Sequence, residues 1–336
     1  MTNTNLHWKN KNYPFLLKPS GKDYLWGGNR LNEDFNKEID LEPLAETWEC
    51  STHPDGPSYV VTGEYKGKTL SEVLKMHPEY LGTHPNTDGE LPILVKFIDA
   101  KKDLSVQVHP DDEYALKHED GQLGKTEMWY VLDATKNATL IHGFNSDVNE
   151  EQVRNSIKDG TIDKYLNKVS VNKDDLFYIS AGTIHAIGAG TLVAEIQENS
   201  NLTYRLYDYN RVDKNGNKRE LHIDKALRVL NYKASTKVRQ PIRVYKYKNG
   251  YSSEFLCRCK YFEVYKAKIN TQNCRKMFKF KTQSNSFHVL LCIDGCGTLI
   301  SDREIIPFFK GDCIFVPANS VDLKVHGVAS FLNVSC

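Results

Sequence analysis

In SVQVHP, residues 105–110, Gln107 and His109 stand two apart. On a strand that spacing turns both side chains to one face and sends Val106 and Val108 to the other. Glu127 opens the apolar run MWYVL, where an uncompensated carboxylate is costly to bury and needs a cation or strong donors beside it. His185 lies farther along, in SAGTIHAIGAG, after a small-residue turn and between glycines that let a backbone come close to a site. Two imidazoles, a carboxylate and an amide oxygen form a mixed donor set suited to Zn²⁺, with Fe²⁺ or Mn²⁺ compatible on ligand type. Open positions for water or substrate would make the set catalytic. Each piece alone is weak, because a lone His in a β protein is more often an ordinary packing or surface residue. That ordinary reading applies to His7, His53, His77, His84, His118, His142, His222, His288 and His326.

The elements that must hold these groups are short strands. Runs of Val, Ile, Tyr, Phe and Leu recur every ten residues or so, as in PSYVVTG, LPILVKFIDA, LSVQVH, EMWYVLD, ATLIHGF, LFYIS and TLVAEIQ, with Gly, Asp, Asn and Pro between them. Such a rhythm predicts a sandwich or barrel. Helical periodicity interrupts it at about 69–81, 148–168 and 220–231, which are expected to be insertions on the β framework. From about 233 the composition shifts: fourteen Lys or Arg against two acidic residues lie between Lys233 and Lys281, and seven of the eight cysteines lie at or beyond Cys257. We expect two units, 1–235 and 236–336, the second also β-rich.

The chain has 336 residues, 40% hydrophobic and 26% charged, so it can bury a sizeable core. Its 44 Lys plus Arg against 43 Asp plus Glu provide no global drive toward nucleic acid or an anionic membrane. No apolar run approaches the roughly 18 residues needed to span a bilayer, and the N-terminal stretch lacks a signal-peptide apolar core. A cytoplasmic protein is expected. Eight cysteines in this length are too sparse for a disulfide scaffold, and Cys257 with Cys259 or Cys292 with Cys296 lack the spacing of a structural zinc site. They read as buried thiols. No glycine-rich phosphate loop or nucleophile elbow occurs, so any bound phosphate must be held by side chains. The basic run is expected to be a solvated face. Trp26, Trp48 and Glu49 are assigned packing at the barrel mouth, with no chemistry.

Collinear segments carry a resemblance to a known family: YLWGGNRL at 24–31, AETWECSTHPDGPS at 45–58, LPILVKFIDAKKDLSVQVHPDD at 91–112, GKTEMWYVLDA at 124–134 and YISAGTIHAIGAGTLVAEIQENSNLTYRLYDYNR at 178–211. The sequence resembles type I phosphomannose isomerases of the short bacterial form, most specifically over 14–231. That resemblance implies a mainly β fold of two cupin-type jelly-roll barrels with helical insertions. It implies a zinc-dependent interconversion of mannose 6-phosphate and fructose 6-phosphate, with one Zn²⁺ per chain and a hexose 6-phosphate as the small-molecule partner.

Residue by residue, His109, Glu127 and His185 match the family's metal ligands, and Gln107 matches a fourth that is clearest in longer members. Arg205 in LTYRLYDY matches the active-site arginine, while Lys96, Ser105 and Lys125 match polar positions lining the sugar-phosphate pocket. Glu195 matches an acid ten residues before that arginine and is a candidate proton-transfer group. As general base it ranks beside a metal-bound water, with Lys125 next. For the phosphate, Lys96, Lys125 and Arg205 are the cations expected. Two departures stand out. Ser200-Asn201 replaces the Ser-Asp often found before the arginine, and Pro317-Ala318-Asn319-Ser320 lacks a histidine that would complete a second metal site. The second barrel is expected to be metal-free and structural. Rival readings are a non-catalytic cupin that binds a sugar phosphate and an iron-dependent cupin oxygenase. Retention of Arg205 and Lys125 argues against the first, and Gln107-Val108-His109 in place of a compact HxH motif against the second.

Overall fold

Period-two alternation decides the architecture, because three neighbouring strands bury both of their faces. In Ile93–Ala100, the side chains of Ile93, Val95 and Phe97 enter one apolar cluster while Ile98 and Ala100 enter another. Met128, Tyr130 and Leu132 of Glu127–Ala134, and Leu192, Ala194 and Ile196 of Thr191–Glu198, join the first cluster. Their alternate residues, Trp129, Val131 and Val193, join the second. Lys96, Glu127 and Glu195 fall on that second face. The charged residues are thus carried by strands whose apolar partners anchor them, each fully buried aliphatic or aromatic side chain contributing about 1.5–3 kcal/mol.

The computed structural model describes residues 11–85, 90–212, 215–235, 243–274 and 276–336. Its strands pair antiparallel in three sheets. A six-stranded sheet has the order Leu176–Ile179, Glu127–Ala134, Thr191–Glu198, Ile93–Ala100, Glu46–Cys50, Ser20–Lys22. A five-stranded sheet has the order Tyr204–Tyr207, Val106–Val108, His185–Ala186, Thr139–Phe144, Leu166–Ser170. Val106, Val108, Ile184, Ala186 and Leu206 pack outward against Val153 and Ile157 of helix Glu150–Lys158 and against Ala226 and Leu227 of helix Ile223–Val229. The candidate site lies between the inner faces of these two sheets.

The ten-stranded sheet belongs mostly to the C-terminal part. Val289, Leu291, Phe315, Leu332 and Val334 face the six-stranded sheet, and Leu290, Ile314, Val316, Phe308 and Phe331 enclose a separate apolar core. The first strand among the described residues, Phe15–Lys18, is hydrogen-bonded into this sheet, with Phe15 opposite Phe315 and Leu17 opposite Cys313. The expected boundary between 235 and 236 falls at the edge of 236–242, outside the described residues.

Two of the three expected insertions match closely. The first comprises helix Leu70–Met76, started by a capping box between Thr69 and Glu72, and the short helix Pro78–Leu81. The third is helix Ile223–Val229. Over 148–168 the expectation overruns. Helix Glu150–Lys158 starts at the Asn149–Gln152 capping box, gives way at Gly160 with φ +66°, and after a short turn of helix the chain becomes strand Leu166–Ser170. Helix Asp112–His118, capped by the Asp111 side chain on Tyr114 N–H, was not anticipated. Among the described residues no helix is long and apolar enough to cross a membrane.

Candidate metal centre and active-site cleft

Three separate strands deliver the donors. His185 is opposite Gln107, and Gln107 is opposite Arg205, in one row across the five-stranded sheet. His109 follows the strand Val106–Val108, and Glu127 begins a strand of the facing sheet. His109 Nε2 lies 3.7 Å from Glu127 Oε2, and His185 Nε2 lies 3.5 Å from Glu127 Oε1. The three ligand atoms lie within 4.8 Å of one another, and all three residues are buried.

The tautomers are fixed by the backbone. His109 Nδ1 donates to Leu202 O at 2.8 Å and His185 Nδ1 donates to Thr183 O at 2.8 Å, which leaves each Nε2 lone pair facing the centre. Burial, with Lys125 adding to it, holds His109 well below its ordinary pKa, and burial takes His185 down to about 3. Both imidazoles are therefore neutral, the state a metal ligand requires. Burial and then the charge of Glu195 raise Glu127 to about 7 against the pull of Lys125. Among the described residues none donates a hydrogen bond to Glu127 Oε1. An unpaired buried carboxylate oxygen beside two oriented lone pairs fits a divalent cation, which is hard to replace with any donor from the chain. Gln107 touches the group through its amide, 3.4 Å from His185 Nε2, and turning that amide over would present Oε1 instead.

A charged network continues from the trio. Lys125 Nζ lies 2.7 Å from Glu127 Oε2, 3.4 Å from His109 Nε2 and 3.8 Å from Glu195 Oε1. Lys96 Nζ lies 3.3 Å from Glu195 Oε1 and 3.7 Å from Glu46 Oε2. Trp129 Nε1 donates to Glu195 Oε2 at 3.0 Å. Burial works to raise the Glu195 pKa, but Lys125 and Lys96 outweigh it and hold the carboxyl below its ordinary value. Glu127 and Glu195 are thus pushed in opposite directions, the pattern that separates two carboxyls into different roles.

Lys96, Ser105, Gln107, Lys125, Glu195 and Arg205 all line one cleft of about 290 Å³. His185 contacts the lining residue Gln107, and His109 and Glu127 contact the lining residue Lys125. Arg205 is held by Nε–H donated to Ser105 Oγ at 3.2 Å and Nη1–H donated to Glu220 O at 2.8 Å. Sequence reasoning missed two charged lining residues, Arg219 and Glu46. Arg219 lies 3.7 Å from Asp208, and its charge helps lower the Arg205 pKa, to about 10, after burial. Trp26 also lines the cleft, and Lys96 Nζ sits 4.8 Å over the ring of Trp48. Asn201 Nδ2 donates to Asp55 Oδ2 at 2.9 Å, so a carboxylate stands beside the position where the Ser-Asp pattern is lost.

The glycines around His185 serve the frame and not the ligand. A Cβ on Gly188 would come 1.7 Å from Thr139 O on the neighbouring strand, and Gly182 has φ +82° and donates its N–H to His109 O at 2.9 Å. Each is required by close backbone approach or by a left-handed turn.

A family model described as "Phosphomannose isomerase type I, catalytic domain" matches residues 15–136, and one described as "Mannose-6-phosphate isomerase, cupin domain" matches 252–336. The chain is 39% identical over 317 residues to mannose-6-phosphate isomerase ManA of Bacillus subtilis, covering 94% of this chain and 96% of that one. It is 37% identical to the mannose-6-phosphate isomerase of Streptococcus mutans over 90% of this chain and 92% of that one. The crystal structure of the mannose 6-phosphate isomerase from Bacillus subtilis superposes with TM-score 0.87 at 36% identity, covering 96% of this chain and 99% of the other. The mainly β, cupin-type fold expected from the sequence is supported by these matches.

Proposed function

The chain belongs to the type I phosphomannose isomerase family, and from that premise we propose that it interconverts mannose 6-phosphate and fructose 6-phosphate with one bound zinc ion. The observation that carries this reading is the convergence of two backbone-anchored neutral imidazoles on a buried carboxylate, in contact with residues that line a cationic cleft. His109, Glu127 and His185 would hold the ion, with Gln107 as a fourth donor. When bound, zinc polarises the sugar carbonyl and spreads the negative charge that develops on it.

The remaining work falls to the chain's own side chains. Glu195 is the base: it takes the proton from C2 of the open-chain aldose, the freed pair forms the C1–C2 double bond while the C1–O1 π pair moves onto O1, and a proton, partly exchanged with solvent on Glu195, is delivered to C1 as the O2 hydroxyl proton passes to O1 and C2 becomes the carbonyl. Its ionised state is maintained by Lys125 and Lys96. Both lysines are tied to carboxylates, so they act on charge inside the site. Arg205 and Arg219, which also line the cleft, provide the planar forks suited to a phosphate. Ser105 orients Arg205. A cytoplasmic phosphorylated sugar is the partner this cleft suits.

The test is a coupled isomerase assay on metal-stripped and zinc-restored protein. Turnover restored by zinc supports the reading. Binding of the sugar phosphate without turnover would instead make the chain a binding protein.

A further inference from the structure

The segment that carries Lys125 and Glu127 is held at every residue from 123 to 126. Leu123 O accepts from Ser200 Oγ at 2.9 Å, Gly124 N–H donates to Asp112 Oδ1 at 3.1 Å, Lys125 N–H donates to Pro110 O at 3.0 Å, and Thr126 N–H donates to Glu198 Oε1 at 2.6 Å. Gly124 is pressed onto the start of helix Asp112–His118, where a Cβ would lie 2.4 Å from the backbone carbon of Asp111. The two carboxyls that grip this segment, Glu198 and Asp112, also stand close enough to share a side-chain hydrogen bond when one of them is protonated. From the C-terminal part of the chain, Tyr261 donates its hydroxyl to Asp112 Oδ2 at 2.8 Å, and Lys260 Nζ stands 3.3 Å from the same oxygen. No chemistry proposed above uses Asp112, Glu198 or Tyr261.

We propose that Glu198 and Asp112 form a carboxyl–carboxylate clamp that positions Lys125 for the isomerase reaction, and that Tyr261 makes the clamp depend on the C-terminal β unit. A carboxyl and a carboxylate can share one hydrogen bond only while one of them keeps its proton. Glu198 is that partner. It is buried, with its pKa raised to about 8 by burial and then by Asp112, while the hydrogen bonds of Tyr261, Glu198 and Gly124 outweigh burial to hold Asp112 below its ordinary value. The groups facing Glu198 are Asp112, the Thr126 N–H, Tyr178, Cys259 and Tyr261, with Lys260 reaching it through Asp112. None supplies a direct positive charge to a second carboxylate, so ionisation of Glu198 would set two negative charges against each other under the loop. The grip on Thr126 and Gly124 would then loosen. These are positioning residues, acting through Lys125.

This inference rests on the isomerase reading for its kinetic arm but not for its structural one. Glu198→Gln keeps an acceptor for Thr126 N–H and a donor for Asp112, yet cannot ionise. Tyr261→Phe removes one hydrogen bond at the periphery and keeps the ring. Glu198→Ala removes the clamp. Amide hydrogen exchange of residues 123–127 should accelerate at least tenfold in Glu198→Ala and Tyr261→Phe relative to the rest of the six-stranded sheet, and should stay as in the unmodified protein in Glu198→Gln at pH 7. In the wild type, exchange of that segment should accelerate as pH passes about 8 beyond the intrinsic base catalysis, a step absent in Glu198→Gln. On mannose 6-phosphate, kcat should fall roughly tenfold or more in Glu198→Ala, with bound metal and KM retained, and Glu198→Gln should restore it. Unchanged exchange at 123–127 in both Glu198→Ala and Tyr261→Phe, or an identical pH dependence in Glu198→Gln and wild type, would overturn the proposal. Should Glu198→Ala fail to fold, Tyr261→Phe and Glu198→Gln decide it. A wild type without turnover would fault the isomerase reading alone, and the exchange data would still judge the clamp.

Discussion

Lys125 and Glu127 stand two residues apart on the way into one strand, and their charges meet at 2.7 Å. This pairing keeps a cation beside a carboxylate whose other oxygen has no donor among the described residues. It also links the donors expected to bind the ion to the acid expected to move the proton, because Lys125 approaches Glu195 as well.

Removing a donor should therefore empty the site. Purified protein should hold about one zinc per chain, and His109→Ala, His185→Ala and Glu127→Ala should each bring elemental analysis close to zero and abolish turnover. Gln107→Ala should keep the ion but release it more readily to a chelator. Full metal content in His185→Ala would contradict the assigned ligand set.

Glu195→Gln retains the size of the side chain and its contact with Trp129 but cannot accept a proton. Its kcat should fall by about 10²–10⁴, with metal content and KM little changed. Incorporation of solvent deuterium at C2 should slow in parallel. A variant with near-normal exchange would show that another group is the base.

Lys96→Met gives a pH test whose sign is set by the site. Lys96 lowers the Glu195 pKa, so its loss leaves the proton bound to higher pH. The acid limb of kcat/KM should move upward in the variant, and activity lost at mildly acidic pH should return at neutrality. A limb that stays in place would remove Lys96 from this role.

Arg219→Gln should weaken binding of the phosphorylated sugar more than it slows conversion, raising KM at least tenfold, with inorganic phosphate losing its competition. Arg205→Lys should fail to replace the guanidinium, since a point charge cannot reproduce both the Ser105 and Glu220 contacts. Equal KM values for wild type and Arg219→Gln would exclude Arg219 from phosphate binding.

Stability has its own test at Glu49, which is buried against Lys37 at 2.7 Å. Lys37 also donates to Gly311 O. Glu49→Ala leaves that ammonium without its counter-charge and should cost about 3–5 kcal/mol in urea unfolding. A loss below about 1 kcal/mol would mean that the pair contributes no more than an exposed one.

The parts of this site that were legible in the sequence are those whose position follows from strand alternation or from a family segment. Gln107 faces inward because Val106 and Val108 must face the helices, and Glu195 faces the site because Ala194 and Ile196 face the other core. Arg219 gave no comparable signal. It sits in a polar turn, brought back to the cleft by pairing of Val212 with Lys218, and neither periodicity nor apolar neighbours mark such a residue. Glu46 was hidden for a related reason, since its role depends on Lys96 from the adjacent strand. Helix Asp112–His118 was announced only by its Asp111 cap, because its sole buried residue is Ala115 and an amphipathic pattern is lacking.

The insertion of Phe15–Lys18 beside Cys313–Val316 sets an order of events during synthesis. The earlier strand waits for a neighbour encoded some three hundred residues later, and non-local pairing of that kind is slow to nucleate. The emerging polypeptide carries an unmatched apolar edge until residues 313–316 have been made, an interval in which chaperone capture would protect it from self-association. Ending the chain before Cys313, so that this late strand is never made, should thus compromise the early half as well as the late one.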